Sequence, residues 1–426
     1  MSFIERVGYV AKLQIEGCRR LSGEVTVQGA KNSVLPILAA TIISGDENVL
    51  HNCPCLSDTD ASVKILRYLG AKVSRHGHTL VVNTKDITGD CIPDSLMREM
   101  RSSIIFLGAL LSRVGRVKLG YPGGCELGPR PIDLHLEALK KMGAEIYEHH
   151  GELVCSAPKG LRGASVALSF PSVGATENIM IAACLAKGTT VITNAAREPE
   201  IEDLADYLNK CGASVSAAGE GRVVIEGSEK LSGTSHTIIP DRIVAATLMS
   251  AAAVTASEIV LKDIIPSHLS AVIPVFEEAG CSVGVKEGIM TVKGRDKLRS
   301  FNLIRTTPYP GFPTDAQAPL MAVATLSRGT TIFVENVFES RYKHIGELLR
   351  LGANVRTEGR VAIVEGVDKL YSSSLQARDL RGSAALVVAS LAAQGRTEID
   401  TTDYLDRGYE DFDVMLANLG ASIKKI

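Results

Sequence analysis

Tryptophan is absent from the 426 residues, and phenylalanine and tyrosine together bring the aromatic share to only 4%. That shortage leaves little material for base-stacking platforms, aromatic carbohydrate surfaces or bulky aromatic cores. An excess of charge is also missing. The 46 Lys and Arg residues face 48 Asp and Glu, a net of −2, so no basic face for DNA or RNA is implied. The longest nearly uncharged stretch, residues 243–257, is alanine-rich and falls short of the ~20 residues that span a bilayer, so no membrane partner is expected. The opening segment MSFIERVGYV has no apolar core running into small residues. No secretory leader is therefore expected, and a cytoplasmic location follows. The nine cysteines are scattered, with no Cys-x-x-Cys pair and no histidine at zinc-finger spacing. Reduced thiols, most of them small buried hydrophobes, are the expectation, and neither a metal nor another cofactor is called for. Neither a phosphate-binding GxxxxGK[ST] loop nor a GxGxxG turn is present.

What the chain does have is an apolar content of 45% with 22% charged residues, enough for two or three domains at ~150 residues each. It also has a repeat. An apolar helix-period stretch ending in Gly-Ala or Gly-Cys and followed by a short alternating strand recurs six times, as ILRYLGAKV, LEALKKMGAEI, LADYLNKCGASV, VFEEAGCSV, LLRLGANV and MLANLGASI. Its glycines, Gly70, Gly143, Gly212, Gly280, Gly352 and Gly420, lie 68 to 73 residues apart. Glycine just past a helix reads as a left-handed stop, so each copy is a helix, a cap and a strand. A second phrase, a small-residue helix followed by a turn and strand, keeps the same period (LLSRVGRVKL, CLAKGTTVIT, TLSRGTTIFV). Interleaved, the two phrases predict six βαβαββ units of α/β type. Units this large suit closure around shared helical cores better than a solenoid.

Polar residues gather where each small-residue helix begins: Gln28 to Asn32, Arg98 to Ser102, Pro171 to Gly174, Pro240 to Arg242, Phe312 to Asp315 and Arg378 to Arg381. Asp and Ser at such places are ordinarily N-caps. Lys31, Arg101 and Arg381 are not explained that way, because a cation at a helix start opposes the dipole unless an anion lies between. The second junctions carry further arginines, including Arg197, Arg341 and Arg407. This pattern points to a binding cleft for a polyanionic small molecule, with guanidinium forks on phosphate or carboxylate. The most irregular segment, 120–135, packs four glycines and three prolines around Cys125 and Arg130, an exposed loop whose thiol the arginine can tune. His76, His78, His149 and His150 read as solvated turn residues.

The runs QGAKNSVLP, MRSSI, PGGCELGPRPIDLH, PSVGATENIM, NAAREPEI, FPTDAQA, DLR and DRGYE, taken in this order, resemble those of the enolpyruvyl transferases. Within that family the match is to the UDP-N-acetylglucosamine 1-carboxyvinyltransferases, from about Leu21 to the C-terminus. The resemblance implies a two-domain inside-out α/β barrel built of six βαβαββ repeats. One domain would cover 31–239, and the other would combine 1–30 with 240–426. It implies transfer of the enolpyruvyl group from phosphoenolpyruvate to the 3-hydroxyl of UDP-N-acetylglucosamine, with loss of phosphate through a tetrahedral intermediate, opening peptidoglycan synthesis. Cys125 would donate a proton to the phosphoenolpyruvate methylene, form a covalent adduct with it and take alkylation by fosfomycin. Asp315 would be the base for the sugar hydroxyl. Lys31, Asn32, Arg130, Asp379, Arg381 and Arg407 would hold phosphoenolpyruvate, with Lys31 and Arg407 also catalytic. Asn32, Arg101, Arg130, Pro131, Ile132, Asp133, Leu134, Ser172, Val173, Gly174, Asp315 and Val337 would line the nucleotide-sugar site.

Three positions depart from the family pattern: Phe170 where lysine is common, Val244 where glutamate is common and Tyr404 where histidine is common. The rival readings are the shikimate-pathway enolpyruvyl transferase, against which the PGGC loop and RPIDL run speak, and a low-activity paralogue that binds the sugar nucleotide.

Overall fold

The computed structural model describes residues 12–123, 132–218, 221–400 and 403–426. The chain forms two units, one of Gln28–Pro240 with Pro308–Pro310, the other of the segment ending at Val27 with Asp241–Thr307 and Gly311–Ile426.

Each unit is built on three helices that lack a polar face. In the first unit these are Lys31–Ser44, Phe106–Arg113 and Val173–Ala183; in the second, Arg242–Val254, Thr314–Ala324 and Leu380–Ala392. They are rich in Ala, Gly, Ser and Thr, and nearly every residue of the longer ones is buried. Helices that are apolar all round belong inside a core, and small side chains let them pack closely. Within each unit the three pack on one another, as the small-residue phrase required.

Among the described residues six separate four-stranded sheets lie around these helices, all of one design. In the sheet of Ser165–Ala167, Thr189–Thr193, Arg222–Glu226 and Ser214–Ala218, the first two strands run parallel and the rest antiparallel. Val223 and Ile225 point inward while Arg222 and Glu226 face solvent, the alternation of a half-buried strand. Six repeated glycines do end their helices as expected, with φ between 89° and 105° from Gly70 to Gly420, a region open to glycine at little cost.

The repeats are not spatially contiguous along the chain. Ser235–Thr237 joins Glu47–His51 in parallel, so the last segment of the first unit completes its first sheet. In the second unit Ser22–Thr26 runs parallel to Glu258–Lys262, and Leu13–Glu16 inserts between Arg396–Asp400 and Ser422–Lys425. In each unit a strand distant in sequence thus completes a sheet of the repeat. The sequence period counts six units without showing this exchange.

Candidate active site

Five of the six polar junctions are the N-terminal ends of the buried helices, while the Arg98 to Ser102 junction opens the 3-10 turn Arg101–Ile105 ahead of the helix Phe106–Arg113, and the structure separates caps from the rest. Ser172 Oγ accepts from Ala175 N–H at 3.4 Å, Asp241 Oδ1 from Ile243 and Val244 N–H at 2.8 and 3.0 Å, and Asp379 Oδ1 from Gly382 N–H at 2.9 Å. These three are N-caps. The helices opened by Lys31 and Thr314 have no side-chain cap, so Lys31 and Asp315 sit at helix starts for another reason.

In the first unit Lys31 Nζ lies 2.7 Å from Asp58 Oδ2, with only 10% and 5% of the two side chains exposed. A cation facing the positive end of a helix dipole is tolerated because this buried carboxylate neutralises it. Asn32 follows, half-buried. Ser33 Oγ donates to Asp203 Oδ2; Asp203 Oδ1 bonds His236 Nε2 at 2.9 Å, and Asp203 Oδ2 also accepts from Ile239 N–H at 3.4 Å. One buried carboxylate therefore fastens the start of Lys31–Ser44 to the Pro199–Lys210 helix and the Ser235–Thr237 strand.

Three further elements of that unit pack together: the 3-10 turn Arg101–Ile105, the helix Asp133–Lys141 and the helix Val173–Ala183. They bring Arg101, Ile132, Asp133, Leu134, Ser172, Val173 and Gly174 to one region. Ile132 is buried, Asp133 exposed and the others half-buried. Arg101 Nη1 reaches the Pro122 carbonyl at 3.5 Å. Cys125, Arg130 and Pro131 lie outside the described residues. His135, on the same helix as Asp133, bonds through Nδ1 to Asn178 Nδ2 at 3.0 Å. Burial, and then the charge of Arg101, push its imidazole down to about 4.

In the second unit Asp315 stands between two arginines. Its Oδ1 accepts from Arg341 Nη2 at 2.7 Å and its Oδ2 from Arg381 Nη2 at 3.0 Å. The arginine side chains are 2% and 3% exposed, that of Asp315 24%. Burial raises the carboxyl, but Arg381 and Arg341 outweigh it and hold Asp315 well below the usual carboxylate range. Arg341 also donates to the Thr314 carbonyl at 3.0 Å and lies over the Phe338 ring. The Arg381 guanidinium lies 5.3 Å from the centre of the Tyr409 ring, whose hydroxyl meets Thr247 at 3.0 Å. Glu335 accepts from Thr314 Oγ1 at 3.0 Å and from Val337 and Phe338 N–H at 2.8 and 3.0 Å, holding Val337 beside this helix start. Arg407, half-buried in the turn Leu405–Arg407, packs on the helix that Asp379 caps. Asp315, Val337, Asp379, Arg381 and Arg407 are thus gathered at one end of the three-helix core.

The same end holds an uncommon number of unsatisfied buried polar atoms. Among the described residues, Asp379 Oδ2, both amide atoms of Gln317 and both ring nitrogens of His344 have no hydrogen-bond partner. Buried polar atoms are nearly always paired, so these atoms are open to an ordered water or a polar ligand. Burial brings His344 down to about 4 against the opposing pull of Asp379, which leaves it neutral. Arg341, Gln317 and His344 were not singled out as site residues from sequence. The signal available for Arg341 was the recurrence of arginine at second junctions, and Gln317 lay within the quoted run FPTDAQA; no motif marked His344.

The remaining cysteines behave as small hydrophobes where buried. Burial drives the thiols of Cys53 and Cys155 up to about 12 and those of Cys211 and Cys281 to about 11, while Cys184 is raised further still. Such thiols are not nucleophiles near neutrality. Cys18 and Cys55 are exposed and Cys91 intermediate. His76, His78, His149 and His150 are exposed at strand ends and turns.

The EPSP synthase (3-phosphoshikimate 1-carboxyvinyltransferase) family model matches residues 15–416. UDP-N-acetylglucosamine 1-carboxyvinyltransferase 2 of Caldanaerobacter subterraneus subsp. tengcongensis is 47% identical over 98% of this chain and 100% of its own length. UDP-N-acetylglucosamine 1-carboxyvinyltransferase 1 of Symbiobacterium thermophilum is 46% identical over 96% of this chain and 94% of its own. Among solved structures, the enolpyruvyl transferase NikO from Streptomyces tendae superposes with a TM-score of 0.88 at 26% identity, covering 98% of this chain and 99% of that one. An EPSP synthase from Acinetobacter baumannii shares the fold, with a TM-score of 0.76 at 19% identity over 98% of this chain and 100% of its own. Matched along nearly its whole length, the chain belongs to the EPSP synthase family of enolpyruvyl transferases and, within it, to the UDP-N-acetylglucosamine 1-carboxyvinyltransferases.

Proposed function

We propose that this protein transfers the 1-carboxyvinyl group of phosphoenolpyruvate to the 3-hydroxyl of UDP-N-acetylglucosamine and releases phosphate, the step that commits the sugar nucleotide to peptidoglycan. The observation that carries this reading is identity of 46% and 47%, over nearly the full chain, to two relatives bearing that name. The shikimate acceptor is disfavoured, because the solved EPSP synthase is only 19% identical. No helix among the described residues is long and apolar enough to cross a membrane, and a cytoplasmic location suits two charged small-molecule substrates.

The chemistry is addition followed by elimination. Cys125 gives its thiol proton to the methylene carbon of phosphoenolpyruvate, and the electron-poor neighbouring carbon takes the sugar hydroxyl, whose proton passes to Asp315. The resulting tetrahedral ketal then returns a methyl proton to the Cys125 thiolate and expels phosphate, which takes up the proton held by Asp315, leaving the carboxyvinyl ether. Lys31, Asn32, Arg130, Asp379, Arg381 and Arg407 hold the anionic donor and stabilise charge on the intermediate. Asn32, Arg101, Arg130 to Leu134, Ser172 to Gly174, Asp315 and Val337 hold the sugar nucleotide. Three-repeat units of 31–239 and of 1–30 with 240–426 divide these groups between them.

Asp315 needs one qualification from its geometry. Clamped by two guanidiniums it is ionised and aimed, yet a weak base. When the substrate carboxylate engages Arg381, the clamp loosens and Asp315 regains basicity at the moment the hydroxyl attacks. The test is phosphate release from phosphoenolpyruvate with UDP-N-acetylglucosamine against release with shikimate 3-phosphate. Release with the sugar nucleotide alone is expected; release only with shikimate 3-phosphate, or with neither, overturns the reading.

A further inference from the structure

The helix Lys31–Ser44 opens without a side-chain cap, and its start is held instead by a ring of hydrogen bonds closed on Asp203. The ring has two anchors. Ala30, just before the helix, gives its N–H to the Ile239 carbonyl at 2.7 Å, and Ile239 N–H in turn donates to Asp203 Oδ2 at 3.4 Å. Ser33, three residues on, gives its hydroxyl proton to the same Oδ2. The Ala30 carbonyl also accepts from Ser33 and Val34 N–H at 3.1 and 3.0 Å, which fixes the turn between the anchors. Lys31 and Asn32 are the residues that lie between them. Just ahead of the ring Gly29 bridges Pro240, and a Cβ on it would fall 1.8 Å from the Asn52 carbonyl oxygen, so the chain is tightly packed there as well.

Asp203 is itself fixed. It is 4% exposed, and His236, 3% exposed, meets its Oδ1 through Nε2 at 2.9 Å. The other ring nitrogen, Nδ1, lies 3.2 Å from Lys210 Nζ. An ammonium has only donors to offer, so Nδ1 is the acceptor and Nε2 carries the proton directed at Asp203. The Tyr207 ring stands edge-on to the imidazole, with centroids 5.7 Å apart. Serine, aspartate and histidine in contact suggest an activated nucleophile, but their order is wrong for one. The carboxylate sits in the middle, and both imidazole nitrogens are engaged elsewhere, so neither receives the Ser33 proton. The three residues form a clamp.

We propose that Asp203 is a positioning residue for phosphoenolpyruvate: by joining Ser33 to Ile239 it fixes the short span of backbone that aims Lys31 and Asn32 at the donor. This rests on the reading given under Proposed function, in which those two residues hold the donor. Asp58 fixes only the far end of the flexible Lys31 stem, 2.7 Å from Nζ, and the backbone sets the near end. A shift of about 1 Å at such a group costs about a hundred-fold in rate.

Ser33→Ala removes one anchor and leaves Lys31 and Asp203 in place. Ser44→Ala is its control, because that hydroxyl is also buried and bonded, donating to the Thr41 carbonyl at 2.8 Å and accepting from Asn48 Nδ2 at 2.8 Å, but at the far end of the same helix. For Ser33→Ala the KM for phosphoenolpyruvate is expected to rise about ten-fold, with a smaller rise for UDP-N-acetylglucosamine, which many other groups hold. Ser44→Ala is expected to keep both constants, whatever it loses in melting temperature. An unchanged KM for phosphoenolpyruvate in folded Ser33→Ala, equal rises for the two substrates, or the same rise in Ser44→Ala overturns the proposal. His236 supplies a second pair, which decides the matter if Ser33→Ala does not fold. His236→Gln keeps an amide donor for Asp203 Oδ1 and keeps the wild-type KM, whereas His236→Leu strips that oxygen and raises it; the same KM in both variants refutes the clamp. Wild type that releases no phosphate with the sugar nucleotide condemns the underlying function instead.

Discussion

Replacing Asp315 by asparagine leaves Arg341 and Arg381 facing each other without the carboxylate that both contact. Their side chains are almost wholly buried, and Arg341 also holds the Thr314 carbonyl, so neither can turn to water cheaply. Removing one partner of a buried ion pair costs about 3–5 kcal/mol. Here a quarter of the Asp315 side chain reaches solvent and asparagine keeps one acceptor, which places the loss near the lower end. At ~2–4 °C per kcal/mol for a unit of this size, the melting temperature falls by about 6–12 °C. The loss depends on pH with a definite sign. Asp315 is held below its unfolded value, so its contribution is complete above about pH 4 and fades as acid titrates it in the folded state. Wild type and Asp315→Asn should therefore differ most from pH 5 upward and converge in acid. Differential scanning calorimetry across that range is the assay. Adding Arg341→Met to Asp315→Asn should recover part of the loss, because one stranded cation goes with it. A melting temperature within about 2 °C of wild type at pH 7 would refute the clamp.

Other outcomes follow from single sites. Glu177 is buried, and desolvation, with Glu200 and Glu198 nearby, raises its carboxyl well above the ordinary value. The unfolded chain releases that proton at lower pH than the folded one, so Glu177→Gln should stabilise the protein increasingly as pH rises above about 4.5, seen as a widening gap in melting temperature. Gly212 sits at φ 96° with open space around its Cβ position. Gly212→Ala should cost about 1–2 kcal/mol in urea unfolding, a backbone penalty alone, and no loss would mean that the turn relaxes.

Local chemistry was the legible part of this chain. The six glycine stops could be read because a left-handed residue after a helix has few alternatives to glycine, and the buried helices because they lack a polar face. The cationic junctions were legible as exceptions to capping, and Lys31 proved to be such an exception. What stayed hidden depends on pairs far apart in sequence. Asp58 under Lys31, Arg341 on Asp315 and His236 on Asp203 are made by packing, which no local pattern encodes. The strand Ser235–Thr237 reads as part of the repeat where it occurs, yet it completes a sheet some 190 residues earlier, paired with Val49 and its neighbours. His135 fell within the segment read as an exposed loop, yet it is buried on the helix Asp133–Lys141 against Asn178 and Gly174, contacts that no local pattern encodes.

The most direct measurement is to run the reaction in deuterated water with phosphoenolpyruvate and UDP-N-acetylglucosamine, and to inspect the sugar nucleotide by proton NMR. Protonation of the methylene carbon, addition and elimination predict a carboxyvinyl ether on the sugar, with solvent deuterium in its vinyl group and one phosphate released per ether formed. Phosphate without the ether, or an ether free of deuterium, contradicts the account.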